Sequence, residues 1–158
     1  MKVESILKGH VLFSNFSIDK VHQISGFSER RKFRKDERVF DHGDKASHVF
    51  VLLQGSVFLH LPAKPEEFRI IISKVEVGDL FGMSSLLGAE RYTMEAKCIE
   101  ASDVLMIDAK KFRNLLETDS AVGYGVMNEV AITYLNRYME ILARLQGIVT
   151  QIPLITNV

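Results

Sequence analysis

The stretch GDLFGMSSLLGAERYT, residues 78–93, contains side chains whose types and spacing suit the binding of a phosphate group. Gly82 opens a short apolar segment that we expect to be helical, and unpaired backbone N–H groups at the start of a helix attract anions. Ser84 and Ser85 can add hydroxyl donors. Arg91 supplies a permanent positive charge and a planar set of donors that matches phosphate oxygens. The stretch therefore predicts an anion-binding loop.

The segments around this loop predict one domain of short strands with helices at both ends. Residues 1–28 have a helical pattern, with Ser17 as a candidate N-cap. From about residue 29 to 107, short apolar runs alternate with turn residues, and from 108 onward the pattern is helical again. Many short strands at this spacing indicate a sandwich or jelly roll. We therefore expect a mainly β fold, a double-stranded β-helix or jelly roll with N-terminal helices and a long C-terminal helix.

The composition of the chain argues against several classes of protein. Its 20 basic and 20 acidic residues give a formal net charge of zero, whereas nucleic-acid-binding surfaces usually carry an excess of Lys and Arg. The basic cluster at residues 29–35 includes Phe33 and is interpreted as a solvated edge strand. The single cysteine, Cys98, excludes internal disulfides and is expected to be a buried, inert thiol. We find no signal peptide and no apolar run of roughly 18 residues, so we expect a cytoplasmic protein without membrane contact.

Two longer motifs resemble the cyclic-nucleotide-binding domain family, the sensor module of the catabolite activator protein and of cyclic-nucleotide-dependent kinases. The first is VFDHGDKASHVFVLLQGSV at residues 39–57, and the second is VGDLFGMSSLLGAERYT at residues 77–93, which is similar to the family's phosphate-binding cassette. The resemblance covers the chain from about Leu12 to the C-terminal helix. It implies a sensor domain with a β-roll at residues 12–118 and a small phosphorylated ligand such as cAMP or cGMP, with no further cofactor.

The cassette resemblance also implies which residues bind that ligand. The family's glycine corresponds to Gly82 and its arginine to Arg91, while the alternative role for Arg91 is a surface ion pair with Glu90. The predicted ligand-binding set is Phe81, Gly82, Met83, Ser84, Ser85, Arg91, Tyr92 and Thr93.

Two positions of this set depart from the family pattern. Met83 stands where the family has a glutamate that accepts a hydrogen bond from the ribose 2′-hydroxyl. A buried hydroxyl left without an acceptor costs about 1–3 kcal/mol. Tyr92 replaces a residue that is usually small and could crowd the phosphate, and Thr93 can return one hydroxyl. The sequence therefore predicts an intact phosphate half and an altered ribose half of the site.

The C-terminal helix, expected over residues 119–152, has an apolar repeat that is typical of helix pairing. A second stripe, of Leu135, Leu142 and Val149, lies one residue around the helix from this seam. In the family, one side of this helix packs on the sheet and the other on its twin in a dimer. We expect a homodimer that signals to an unknown downstream protein. The seam consists of Tyr124, Met127, Ala131, Tyr134, Tyr138, Ile141, Leu145, Ile148 and Ile152, at alternating spacings of three and four.

The chain is interpreted as a stand-alone sensor, because no helix-turn-helix follows this helix before the sequence stops at IPLITNV. We therefore expect no direct DNA binding. One alternative is a degenerate sensor that serves only as a dimerising scaffold. Another is a cupin-type metalloenzyme that uses His42, His48 and His60, but the closely spaced His-x-His pair of such sites is absent. We expect neither catalysis nor a metal site.

Overall fold

The computed structural model describes residues 2–62 and 68–149, and its elements follow the predicted order of helices, strands and helices. Two short helices precede the strands and two further helices follow them. The helices are α1 (Val3–Gly9), α2 (Ile18–Ser25), α3 (Ala109–Thr118) and α4 (Ser120–Val149). The strands are β1 (Ser28–Phe33), β2 (Arg38–Phe40), β3 (His48–Gln54), β4 (Val57–Pro62), β5 (Arg69–Val75), β6 (Leu80–Phe81), β7 (Glu95–Cys98) and β8 (Ser102–Asp108).

The strands form two antiparallel sheets of four strands each, which confirms the predicted jelly-roll class. One sheet has the order β1-β8-β3-β6 and the other β2-β7-β4-β5. The basic cluster lies mainly on β1, an exposed edge strand that pairs with β8 from Ser28–Ile107 to Phe33–Ser102. Gly55, at a φ of 95°, turns the chain from β3 in one sheet to β4 in the other. The tight turn at Gly55 therefore joins the two sheets.

Strands β3, β6 and β8 of the β1-β8-β3-β6 sheet are buried on both faces, and this explains the continuous apolar run of β3. Val49 and Val51 pack toward the helices, in a core cluster that includes Leu7, Phe112 and Val130. Phe50 and Leu52 point to the opposite face and fill the interior of the roll. Alternate residues of a strand point to opposite faces, so a strand covered on both sides must be apolar throughout.

Helix α4 has 30 residues and is about 45 Å long. Its domain-facing side buries Val126, Val130 and Arg137 and partly covers Met127 and Tyr134. Near the C-terminal end of the described helix, Arg144 donates hydrogen bonds to the carbonyls of Ile71 (2.6 Å) and Ile72 on the edge strand β5. The helix is therefore held to both the helical core and the roll.

The predicted seam of α4 combines two different faces of the helix. Met127, Tyr134 and Ile141 are half-buried on the domain side, and the predicted position 152 lies outside the described residues. Of the remaining seam residues, four join the second stripe on one outward face, while Ile148 is exposed seven residues after the domain-side Ile141. Because the helix has apolar residues on both sides, the sequence alone cannot assign the two faces. This outward face consists of Tyr124, Ala131, Leu135, Tyr138, Leu142, Leu145 and Val149, all exposed and spaced by three, four or seven.

Gly123 allows α4 to approach α3 closely. A Cβ atom at this position would lie 2.6 Å from the carbonyl oxygen of Leu116, whereas one at Gly125 would meet nothing within 4 Å. Two closely spaced glycines are typical of a hinge, but only Gly123 lies in close contact with α3. Packing against α3 therefore explains Gly123.

We expect Gly123→Ala to lower the free energy of unfolding by about 1–2 kcal/mol, because the overpacking penalty of about 1–3 kcal/mol exceeds the gain in helix propensity. Gly125→Ala is the matched control and should raise it by up to about 1 kcal/mol. Thermal unfolding measures both, at about 2–4 °C per kcal/mol for a chain of this size. Stabilisation by both substitutions would show that the approach of the two helices is loose.

Candidate functional site

The predicted phosphate loop connects β6 to β7. Gly82, at a φ of 66°, precedes a 3₁₀ helix of five residues, Met83–Leu87, and Gly88 follows it at a φ of 81°. A Cβ on Gly82 would lie 2.8 Å from the ring of Phe50, so packing as well as backbone conformation requires glycine there. The segment predicted to be helical is thus one short 3₁₀ helix, and any anion bound at this loop must be held mainly by side chains.

Tyr92 fills the interior of the roll. Its ring stacks on Phe40 at a centroid distance of 3.9 Å and an interplanar angle of 20°, beside Phe50 and Phe81. Its hydroxyl donates to the carbonyl of His48 (2.7 Å) and accepts from the N–H of His48 (3.1 Å). Burial raises the pKa of Tyr92 to about 12, so the phenol stays neutral at physiological pH. The sequence predicts that Tyr92 crowds the phosphate, and in the structure the Tyr92 ring occupies the interior of the roll.

The small cavity that remains has a volume of about 10 Å³, at the lower limit of what one water molecule needs. We call it the inner cavity. Five of the eight predicted site residues border it, together with two residues of α4. Its lining is Phe40, Leu59, Gly82, Met83, Ser84, Tyr92, Thr93, Met94, Tyr134 and Arg137.

The other three predicted residues lie elsewhere. Phe81 is fully buried in the aromatic core. Ser85 donates a hydrogen bond to the carbonyl of Gly82 (2.8 Å), and it borders a separate cleft on the outside of the roll. Arg91 borders the same cleft, where its side chain is exposed and Nη1 donates to the carbonyl of Gly43 (2.7 Å). The structure thus separates Arg91 from the loop glycine with which the sequence grouped it.

The backbone around Arg91 explains its outward direction. Lys45 and Arg91 form an antiparallel bridge, flanked by hydrogen bonds from Ala46 N to Glu90 O and from Tyr92 N to Asp44 O, both 2.9 Å. Neighbouring residues of extended backbone point to opposite faces, so Tyr92 inside the roll places Arg91 outside. Within the described residues, Arg91 has no carboxylate within 4 Å, so the alternative ion pair with Glu90 is not formed.

Met83 belongs to the main core although it borders the inner cavity. Its side chain is 1% exposed and packs in the cluster that joins the sheet to the helices. The position that the family uses for a glutamate is therefore an apolar core position in this chain.

Arg137 is a site residue that sequence reasoning missed. It is 7% exposed, and its Nη2 donates a hydrogen bond to the carbonyl of Leu80 at 3.4 Å. Burial lowers the pKa of the Arg137 guanidinium, partly offset by Tyr134, Asp79 and Glu140. Among the described residues no carboxylate lies within 4 Å of it. The available signal was an arginine seven residues after Val130, which places it on the same side of the helix as that valine.

The three histidines of the strand region, His42, His48 and His60, do not form a set of metal ligands. His60 lies 3.9 Å from the buried Glu95, and burial lowers the pKa of His60. His48 hydrogen-bonds to Ser47 and His42 is exposed. Over residues 2–62 and 68–149, no group of three His, Cys, Asp or Glu side chains is placed to hold a metal ion. The metalloenzyme alternative gains no support from these residues.

A family model described as the cyclic nucleotide-binding domain matches residues 30–119, more than half of the chain. The match covers both motifs and the strands that hold them. The chain belongs to the cyclic nucleotide-binding domain family.

Solved structures share the fold of this chain, and sequence relatives match part of it. A protein from Geobacter metallireducens named for cyclic nucleotide binding is 27% identical, with a TM-score of 0.73 over 87% of this chain and 99% of that one. The sensor domain of the transcriptional regulator DNR from Pseudomonas aeruginosa shares the fold at 16% identity, with a TM-score of 0.72 over 82% of this chain and 91% of that one. An uncharacterised protein of Mycobacterium tuberculosis is 30% identical over 65% of this chain, which spans about a fifth (20%) of that relative's length.

No helix within residues 2–62 and 68–149 combines the length and the apolar character needed to cross a bilayer.

We expect Met83→Glu to destabilise the fold by several kcal/mol, because the carboxylate would enter an apolar core without a cationic partner designed for it. At about 2–4 °C per kcal/mol, the melting temperature should fall by roughly 10 °C. Met83→Leu, a swap of similar volume, should change stability by less than about 1.5 kcal/mol. A Met83→Glu protein as stable as the wild type would mean that the side chain can turn toward the inner cavity.

Proposed function

We propose that this chain is a regulatory sensor domain that binds a small phosphorylated ligand between the cassette and α4, and that signals through a dimer of α4. The regulatory class follows from the family to which the chain belongs. The observation that carries the ligand proposal is Arg137, a buried cation at the wall of the inner cavity without a carboxylate partner among the described residues.

The energetics of Arg137 favour an anion as its partner. A buried charge is expensive unless it is paired, and one carbonyl at 3.4 Å compensates it poorly. A phosphate group would supply a full opposite charge and several acceptors to the guanidinium fork. Ser84 and Thr93 border the same cavity and can add hydroxyl donors to the same phosphate.

Ligand entry requires the inner cavity to open, because a volume of about 10 Å³ holds no nucleotide. Tyr92 would have to leave its stack on Phe40, and α4 would have to move away, since Tyr134 and Arg137 form one wall. A ligand that binds only the opened state shifts the equilibrium toward it, and this links the cavity to the position of α4.

The chemistry of the lining bears on which ligand this is. Met83 offers no carboxylate to a ribose hydroxyl, so cAMP and cGMP would be held by their phosphate more than by their sugar. They remain the family-based candidates, and cyclic dinucleotides and linear nucleotides complete the set to be tested. The filled interior also favours a second candidate function, a degenerate sensor that acts as a dimerising scaffold.

A thermal-shift screen with cAMP, cGMP, cyclic dinucleotides and linear nucleotides tests the sensor proposal. A ligand at about one hundred times its dissociation constant should add roughly 2.7 kcal/mol, which raises the melting temperature by several degrees. Arg137→Gln should abolish that shift while the variant stays folded, because the buried cation is lost. Arg91→Gln should preserve it.

If Arg91→Gln abolishes the thermal shift and Arg137→Gln preserves it, the phosphate is assigned to Arg91, as the cassette resemblance implies. If no phosphorylated compound stabilises the wild type, the sensor proposal fails and the scaffold remains.

The outward face of α4 supports the dimer part of the proposal. Its exposed apolar residues follow the three-four spacing of a coiled coil, which matches a second identical helix. Leu135, Tyr138 and Leu145 are each more than half exposed, although apolar. We therefore propose that a second copy of this chain covers the outward face.

Wild-type protein at micromolar concentration should have about twice the monomer mass by light scattering. Leu135→Glu combined with Leu142→Glu should halve that mass, because the new carboxylates would face their own copies across the seam. Asn136→Glu adds a charge to the same helix off the seam and should leave the dimer intact. A monomeric wild type would overturn the dimer.

A further inference from the structure

The cleft on the outside of the roll is lined by more positive than negative charge. We call it the outer cleft, and it is formed by the loop before β3, the end of the cassette and the first turn of α3. Its volume is about 590 Å³, within the range of small-molecule sites. Four cationic residues border it, Lys45, Arg91, Lys110 and Arg113, against two acidic residues, Glu90 and Asp108.

The cations of the outer cleft are not neutralised by their surroundings. Among the described residues, none of the four has a carboxylate within 4 Å. Asp108 is already engaged, because its Oδ1 accepts the N–H of Lys111 (2.9 Å) as the N-cap of α3. The positive charges therefore repel one another, and a bound anion would relieve this repulsion.

Backbone contacts tie together the segments that carry these side chains. The bridge between Lys45 and Arg91 keeps two of the cations on adjacent backbone segments. The hydrogen bond from Ala109 N to Ser47 O (3.0 Å) ties α3 to the loop that carries Lys45. Gly88 leaves room for Arg113, since a Cβ there would lie 3.1 Å from its Nη1. The backbone segments that carry the charges are thus brought together before any ligand binds, which lowers the entropy cost of binding.

The lining also restricts the kind of anion that fits. It contains no aromatic or large aliphatic side chain on which a nucleobase could stack or pack. Recognition can therefore come only from charge and hydrogen bonds, which favours a compact molecule with several phosphate groups over a nucleotide held by its base.

We propose that the outer cleft is a second binding site, specific for a small anion that carries two or more adjacent phosphate groups. The outer cleft and the inner cavity share no lining residue. The proposal is therefore independent of nucleotide binding in the roll.

Calorimetric titration with inorganic pyrophosphate tests this site. We expect saturable binding to the wild type that weakens as salt is raised, because exposed charges are screened. Lys110→Gln and Arg113→Gln should each weaken it about tenfold, by loss of one charge-assisted contact. Lys111→Gln removes the same charge from the neighbouring position of the same helix, outside the cleft, and should bind like the wild type. Arg137→Gln, which alters the inner cavity, should also bind like the wild type.

Three results would overturn the proposal. The first is no binding of pyrophosphate, and the second is an equal loss in Lys110→Gln and Lys111→Gln, which would indicate an unspecific response to net charge. The third is tighter binding of a poly-glutamate peptide than of pyrophosphate, with loss in Lys110→Gln, which would make the cleft a protein-docking surface. If Arg113→Gln does not fold, Lys45→Gln, at an exposed position, replaces it.

Discussion

The stack of Tyr92 on Phe40 is the interaction on which the arrangement of both sites depends. The Tyr92 ring is held by stacking on Phe40 and by two hydrogen bonds to the backbone of His48, so it is fixed in position and in orientation. Because Tyr92 points into the roll, its neighbour Arg91 must point out. The inward direction of Tyr92 therefore closes the inner cavity. The resulting outward direction of Arg91 supplies a cation to the outer cleft.

In this member of the family, the cassette loop and the cation nearest to the interior of the roll come from different parts of the chain. Gly82 has a left-handed conformation and lies in close contact with Phe50, and both features fix the shape of the loop. The positive charge nearest to the interior comes instead from Arg137, on a helix more than forty residues further along the chain. A cation on α4 ties whatever occupies the cavity to the helix that carries the exposed apolar face. Under the proposed function, ligand binding and the position of α4 would be parts of one equilibrium.

Helix α4 has two apolar sides, one packed against the domain and one exposed. Val126 and Val130 close the helical core, while Leu135 and Leu142 stay exposed. Arg144 fixes the helix to the edge of β5, so the outward face is presented in a defined direction.

The sequence by itself determined the family, the order of elements and the identity of the cassette loop. Strand periodicity, turn residues and the spacing of the two motifs are local properties, so they can be seen without the fold. Only the tertiary structure decided where side chains point. Tyr92 and Arg91 take their directions from backbone pairing with residues 44 to 48 positions away. Arg137 reaches the cassette through a contact with Leu80, 57 positions away. The outward face of α4 is distinguished from the domain-facing one only by what the domain covers. These contacts join distant parts of the chain, and no local pattern of residue types specifies them.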